Sequence, residues 1–164
     1  MMKIKKLVLV CLFLLSGCNL SYNEEFYLET INSKLVYNQY GKKHFLEHHE
    51  NISPNETNVY IFKSIDDINR FVDSSVYFEK LNDNQTVEFK NVLDENYILF
   101  VPIVLWSSAE FKCKLSSKKK NTDLTFIIGP FLETEEFFDE RFTALIPKKY
   151  VDNKIINHKF EIIN

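Results

Sequence analysis

Glycine is scarce in this chain: three in 164 residues, one of them within the first eighteen. So few cannot build a glycine-rich phosphate loop, a collagen repeat or a low-complexity linker. Cysteine is also limited to three, too few for a disulfide scaffold. A basic excess is missing as well, with 20 Lys and Arg against 23 Asp and Glu. A chain of this balance is not a nucleic-acid binder by default. What it has is bulk for a core. Hydrophobic residues make up 45% and aromatics 15%, with fifteen Phe and eight Tyr. The length suits one domain.

The first residues read as a leader. Lys3, Lys5 and Lys6 precede an apolar stretch from Leu7 to Leu15, too short for the roughly 20 residues of a spanning helix. Leu15-Ser16-Gly17-Cys18 follows. This resembles the bacterial lipobox, which carries an aliphatic residue, two small residues and then Cys. The resemblance implies cleavage after Gly17, a diacylglyceryl group on the Cys18 sulfur, and further acylation of the new amino terminus. Two or three chains anchor durably where one holds marginally. The alternative is an ordinary signal peptide, or an N-terminal membrane helix, that contains Cys. Asn19 stands where Asp would favour inner-membrane retention. In a Gram-negative cell it therefore favours the outer membrane, facing the periplasm.

On this reading residues 1–17 are a signal peptide, 18–25 a lipidated tether and 26–164 a single β-rich domain. Loss of the leader leaves 17 basic against 23 acidic side chains. So acidic a domain is not expected to cling electrostatically to an anionic membrane. Cys113 remains as the only free thiol, so no intramolecular disulfide is possible. The expected partners are the membrane, through lipid on Cys18, and another envelope protein. No nucleic acid and no cofactor are expected.

Along the mature chain, residues 26–40 fit strand or helix, with a strand favoured over 34–40. Residues 41–58 read as a loop, or as a short helix and a loop. Residues 59–63 read as a strand, and Ser64 with Asp67 marks the cap of a helix over 65–73. Residues 82–85 (NDNQ) read as a break. Thr86–Lys90 alternates, with Val87 and Phe89 inward. Tyr97–Leu105 is continuously apolar and expected to be buried on both faces, with Pro102 marking a bulge or strand end. In 109–115, Ala109, Phe111, Cys113 and Leu115 alternate with Glu110, Lys112 and Lys114, as on a sheet with one wet face. A charged hairpin tip (116–123), a return strand (124–128), an acidic connection (129–141) and closing strands at 142–147 and 158–163 complete the reading. The fold class is α+β: mainly antiparallel sheet, as a sandwich or half-open barrel, with one short helix near 65–73.

The run of strand, Ser-capped helix, Phe71-Val72 and apolar strand over 59–105 resembles small bacterial lipoproteins grouped with the protease-complex subunit PrcB. That resemblance implies a β-rich domain that associates with other envelope proteins.

Four constellations offer chemistry. His44-Phe45-Leu46-Glu47-His48 spells H-x-x-E-H, the spacing that sets two His one helical turn apart on zinc with Glu activating water. A thioether-cleaving lyase family also pairs this motif with a distant Cys, for which Cys113 is available. Without matching flanks, His44, Glu47 and His48 read first as a polar surface segment. The carboxylates at 133, 135, 136, 139 and 140 lack the register of a calcium loop. Among them Phe131, Phe137 and Phe138 either pin the connection to the sheet or form a partner-binding patch. Ser107 and Ser108 lack a nucleophile elbow and read as a turn. The function expected is a non-enzymatic, lipid-anchored module that binds protein or ligand. The alternatives are a metal-dependent hydrolase using His44, Glu47 and His48, and an immunity or inhibitor lipoprotein.

Overall fold

In chain order the elements are β1 (Glu24–Tyr27), α1 (Gly41–His49), β2 (Tyr60–Phe62), α2 (Ile65–Ser74), α3 (Asp83–Leu93), β3 (Asn96–Leu105), β4 (Ser108–Ser117), β5 (Asn121–Leu132), β6 (Phe138–Pro147), a 3-10 turn (Lys148–Tyr150) and β7 (Ile155–Ile162). The computed structural model describes residues 23–32, 35–39, 41–49, 53, 56–105, 108–132 and 138–163. The leader, Cys18 and Asn19 lie outside these residues. Among the described residues, no helix is long and apolar enough to cross a membrane.

Two sheets form, ordered β1-β4-β5-β7 and β2-β3-β6. The apolar run of β3 explains how they stack. Its residues Ile98, Leu99, Phe100, Val101 and Ile103 are all 2% exposed or less. Leu99 and Val101 pack against Cys113, Leu115, Leu124 and Phe126 of the first sheet. Ile98 and Phe100 turn the other way, toward Ile68 and Val72 of α2 and Phe89 and Leu93 of α3. Sheet, sheet and helices therefore make three layers, and the strand at the centre has no wet face to alternate. Burying side chains of this size contributes about 1.5–3 kcal/mol each. The fold is a β-rich α+β sandwich, and neither sheet closes into a barrel.

β4 keeps the expected alternation. Cys113 and Leu115 are fully buried while Glu110 and Lys112 face water. On that outer face Lys114 meets Glu25 of β1 at 2.7 Å. Pro102 makes no bulge. The β3–β6 register runs through it opposite Arg141 without a shift. β2 covers β3 only at Ile98–Phe100, so Pro102 sits where the strand has one ladder neighbour and a missing donor is tolerated. The irregularity falls instead in β4, between Ala109 and Phe111.

Several expectations need correction. Thr86–Lys90 is not a strand but the middle of α3. Asn82 accepts from the Gln85 backbone N–H at 2.9 Å, and the Gln85 side chain accepts from the Asn82 N–H at 2.9 Å. This reciprocal box starts a helix where a break was expected. Phe89, Val92 and Leu93 then share the buried face, while Val87 points outward at 57% exposure. Three α-helices are thus present among the described residues, not one.

The strand expected over 34–40 is likewise absent among the described residues 35–39. Tyr37 makes a single bridge to Phe78, and the strand lies earlier, at β1. Two residues assigned to the tether, Glu24 and Glu25, belong to it, because Phe26 turns inward onto Tyr150 with ring centroids 5.2 Å apart.

The acidic connection is shorter than residues 129–141. β5 runs to Leu132 and β6 begins at Phe138, since Asp139, Glu140 and Arg141 pair with Val104, Ile103 and Pro102 along the full length of β3. The sheets are antiparallel, as expected, apart from β7, which pairs with β5 in parallel. The chain leaves the first sheet for β6 and crosses back.

The segment after β1 serves both sheets. The Leu28 N–H donates to the Cys113 carbonyl at 2.9 Å, the Leu145 N–H to the Glu29 carbonyl at 3.0 Å, and the Ile31 N–H to the Thr143 carbonyl at 2.9 Å. Residues 24–31 pair first with β4 and then with β6, and so close one side of the sandwich.

Candidate functional site

The helical side of β3 is built from aromatic rings, and it is not completely filled. Its construction begins with local pairing. The Asn38 N–H donates to the Tyr77 carbonyl at 2.9 Å, and the Glu79 N–H to the Val36 carbonyl at 2.8 Å. These bonds lay the segment before α1 against the segment after α2. Gly41 then opens α1 in direct contact with that backbone. A Cβ there would lie 1.9 Å from the Tyr77 carbonyl oxygen, so only glycine lets the helix come so close. α2 is set by its own cap. The Ser64 hydroxyl accepts from the Asp67 N–H at 3.2 Å, and the Asp67 carboxylate accepts from the Lys63 N–H at 2.9 Å. At its far end the Ser75 hydroxyl accepts from the Tyr77 N–H at 3.2 Å, fixing the turn that presents Tyr77 and Phe78.

These devices gather rings from distant parts of the chain. Phe45 of α1, 1% exposed, meets Tyr77 edge-on at 5.6 Å. Phe71 of α2 meets Tyr60 of β2 at 4.8 Å and Phe78 at 5.6 Å. Phe78 in turn meets Phe100 of β3 at 6.0 Å. Phe45, Tyr60, Phe71, Tyr77, Phe78 and Pro102 line an open pocket of about 240 Å³, with Ser74 and Ser75 at its rim. Beyond Tyr60 and Phe71 it continues into a shallower hollow that ends at Asp67 and Arg70. Partial burial works against ionisation of Asp67, but the Lys63 N–H, the Arg70 guanidinium and the Ser64 hydroxyl outweigh it and hold the carboxyl below its ordinary range. The groove therefore runs from an apolar floor to an ion pair. No protein-family model, no curated protein and no solved structure matches the chain.

The sequence candidates lie elsewhere. The H-x-x-E-H residues fall on α1, but its inward face is Gly41 and Phe45. His44 and Glu47 are on the exposed side, with His44 Nδ1 and Glu47 Oε2 3.4 Å apart and Lys43 Nζ 3.7 Å from Glu47. The side chain of His48 lies outside the described residues. Cys113 cannot complete the motif, because it is buried between the sheets while α1 packs on the opposite face of β3. Burial pushes its thiol up to about 12. Among the described residues no group of three or more His, Cys, Asp or Glu is placed to hold a metal.

Phe131 lies in β5 opposite Ala109, and Phe138 opens β6 opposite Leu105. Their side chains, and Phe137 with its acidic neighbours at 133–136, lie outside the described residues, as do Trp106 and Ser107. Ser108 opens β4 opposite Leu132. The pocket residues escaped sequence reading because they come from four separate segments. Phe71 enters the sequence reading only through the Phe71-Val72 pair, and the one available signal is the density of Phe and Tyr.

Proposed function

We propose that the chain is a lipid-anchored envelope protein that binds a partner by seating one of its apolar side chains in the aromatic pocket. The pocket is the observation that carries this reading. Its volume, about 240 Å³, is sufficient for a single ring or branched side chain. Aromatic-lined, water-excluding recesses are where interface binding energy concentrates. The serines at the rim and the Asp67–Arg70 pair beside it supply polar groups that set the orientation of whatever enters. The lipobox-like Leu15-Ser16-Gly17-Cys18 supports the anchor, and the PrcB-like pattern over 59–105 agrees with association in the envelope.

A photo-crosslinking residue placed at Ser74 in cells tests this directly. A discrete protein adduct at Ser74, absent when the same group replaces Glu110 on the wet face, is expected. Filling the recess from the rim with Phe or Trp at Ser75 should suppress that adduct, with loss of the Ser75–Tyr77 hydrogen bond lowering the melting temperature by only a few degrees. The same adduct pattern at both positions would reject the pocket as the binding site.

A further inference from the structure

One end of the sandwich gathers lysines although the chain is acidic, and Glu95 reaches the same end, its carbonyl accepting from the Lys148 N–H at 3.3 Å. Lys118, Lys119 and Lys120 form the tip of the β4–β5 hairpin, Lys148 and Lys149 the 3-10 turn, and Lys154 the approach to β7. Lys118, Lys119, Lys149 and Lys154 line a hollow of about 180 Å³ together with Ser117, Tyr150 and Glu24. Glu24 is the single carboxylate among those lining residues. It is already engaged: the Tyr150 hydroxyl donates to it, and Lys149 Nζ lies 3.5 Å away. The Tyr150 hydrogen bond, with help from Lys149, holds its carboxyl below the ordinary range despite slight desolvation. Lys154 Nζ is tied down too, donating to the Ser117 hydroxyl at 2.5 Å and the Lys118 carbonyl at 3.2 Å. Asp152 of the same end accepts from the Tyr97 hydroxyl at 2.8 Å. Lys118, Lys119, Lys120 and Lys149 remain exposed.

The position of this end matters more than its charge count. Glu24, the first residue of β1, itself lines the hollow between these lysines. Cys18 lies six residues upstream, a reach of at most about 20 Å for extended chain. We propose that this lysine cluster docks on the anionic phospholipid headgroups of the leaflet that holds the Cys18 acyl chains, and so turns the aromatic pocket away from the bilayer. The proposal rests on the lipid-anchor reading above. Attraction between lysines and an anionic surface fades within a Debye length, about 8 Å at physiological salt. A free acidic domain would not be recruited by so local a patch. A short tether removes that obstacle by keeping the effective concentration at the surface in the millimolar range. The acidic remainder of the domain is repelled from the same surface, which favours one orientation. The pocket reaches Pro102, toward the far end of β3 from Tyr97 and Lys148.

The test uses the protein expressed with its own leader in a bacterial cell, purified and reconstituted in vesicles of phosphatidylcholine alone or with a third phosphatidylglycerol. Amine-reactive footprinting read by mass spectrometry reports each lysine. Lys118, Lys119 and Lys149 should be labelled at least fivefold more slowly in the anionic vesicles, with Lys43 on α1 unaffected, and 0.5 M NaCl should erase the difference. The triple variant Lys118→Gln/Lys119→Gln/Lys149→Gln should leave Lys120 and Lys154 equally labelled in both vesicles. The mass of the Cys18 peptide is read from the same digest. Equal labelling of the cluster in both vesicles with Cys18 acylated overturns the docking alone. An unacylated Cys18 overturns the docking and the anchor together.

Discussion

The two faces of β3 are packed by different chemistry. Toward the first sheet, Leu99 and Val101 meet a closed layer in which Cys113, Leu115, Leu124, Phe126 and Ala144 are all fully buried. Toward the helices, Phe100 meets a cluster of rings in which Phe71, Tyr60 and Tyr77 are only half buried. Sheets with a common twist and alternating side chains can interdigitate densely. Short helices and loops that deliver flat rings at varied angles leave a recess. The closed side therefore carries stability, and the open side carries the cavity.

Truncations should separate the two sides. Phe126→Ala, which removes a ring stacked on Phe160 at 4.9 Å in the closed layer, should cost about 3–5 kcal/mol in denaturant unfolding. Phe71→Ala on the open side should cost about 1–3 kcal/mol, because water can enter the enlarged recess. An inverted order would mean that the ring layer, not the inter-sheet layer, is the structural core.

Next in size is the register of α3. Phe89→Ala should cost about 2–4 kcal/mol, while Val87→Ala should stay within about 0.5 kcal/mol of wild type. Equal costs for the two would restore the strand reading of 86–90, in which both point inward.

The closed layer should also answer to pH through Cys113. Its thiol is pushed from an ordinary 9.0 up to about 12 by burial, so the folded state keeps the proton that the unfolded chain releases. Stability is therefore unaffected below pH 9 and falls between pH 9 and 12, by about 1.4 kcal/mol per unit. The difference in unfolding free energy between wild type and Cys113→Ala isolates this effect from the lysines that titrate in the same range. The same burial should make native Cys113 slow to react with a thiol dye.

Smaller still is the cap of α2, where Ser64→Ala should cost about 1 kcal/mol and lower the melting temperature by a few degrees. Smallest is His44→Ala on the exposed face of α1, expected within about 0.5 kcal/mol by the same measurement.

The parts of the fold legible from sequence were those governed by a single strong rule. The continuous apolar run over 97–105 could only be a strand covered twice, and the strict alternation around Cys113 could only turn the thiol inward. Ser64 and Asp67 announced α2 by side chains that bond the backbone next to them. α3 was misread because Val87 and Phe89 happen to alternate, and a five-residue window cannot tell that from the Phe89, Val92, Leu93 face of a helix. The Asn82–Gln85 box was the signal that would have decided it. The pocket and the lysine end were not legible at all. Each is assembled by β-pairings between residues many positions apart, such as Val36 with Glu79 or Glu24 with Ser117, and net charge averages away the second entirely.

Residues 24–31 bear on a question of mechanics. A pull on the N-terminus enters the fold at Glu24 and acts along the axis of β1, parallel to its ladder with β4. Load in that direction shears the ladder bonds together; it does not unzip them one by one. Behind the ladder the same strap is fastened to Cys113, Leu145 and Thr143, on both sheets. The protein should therefore resist drag on its N-terminal end well, and when it yields, the loss of Leu28 should open both sheets at once.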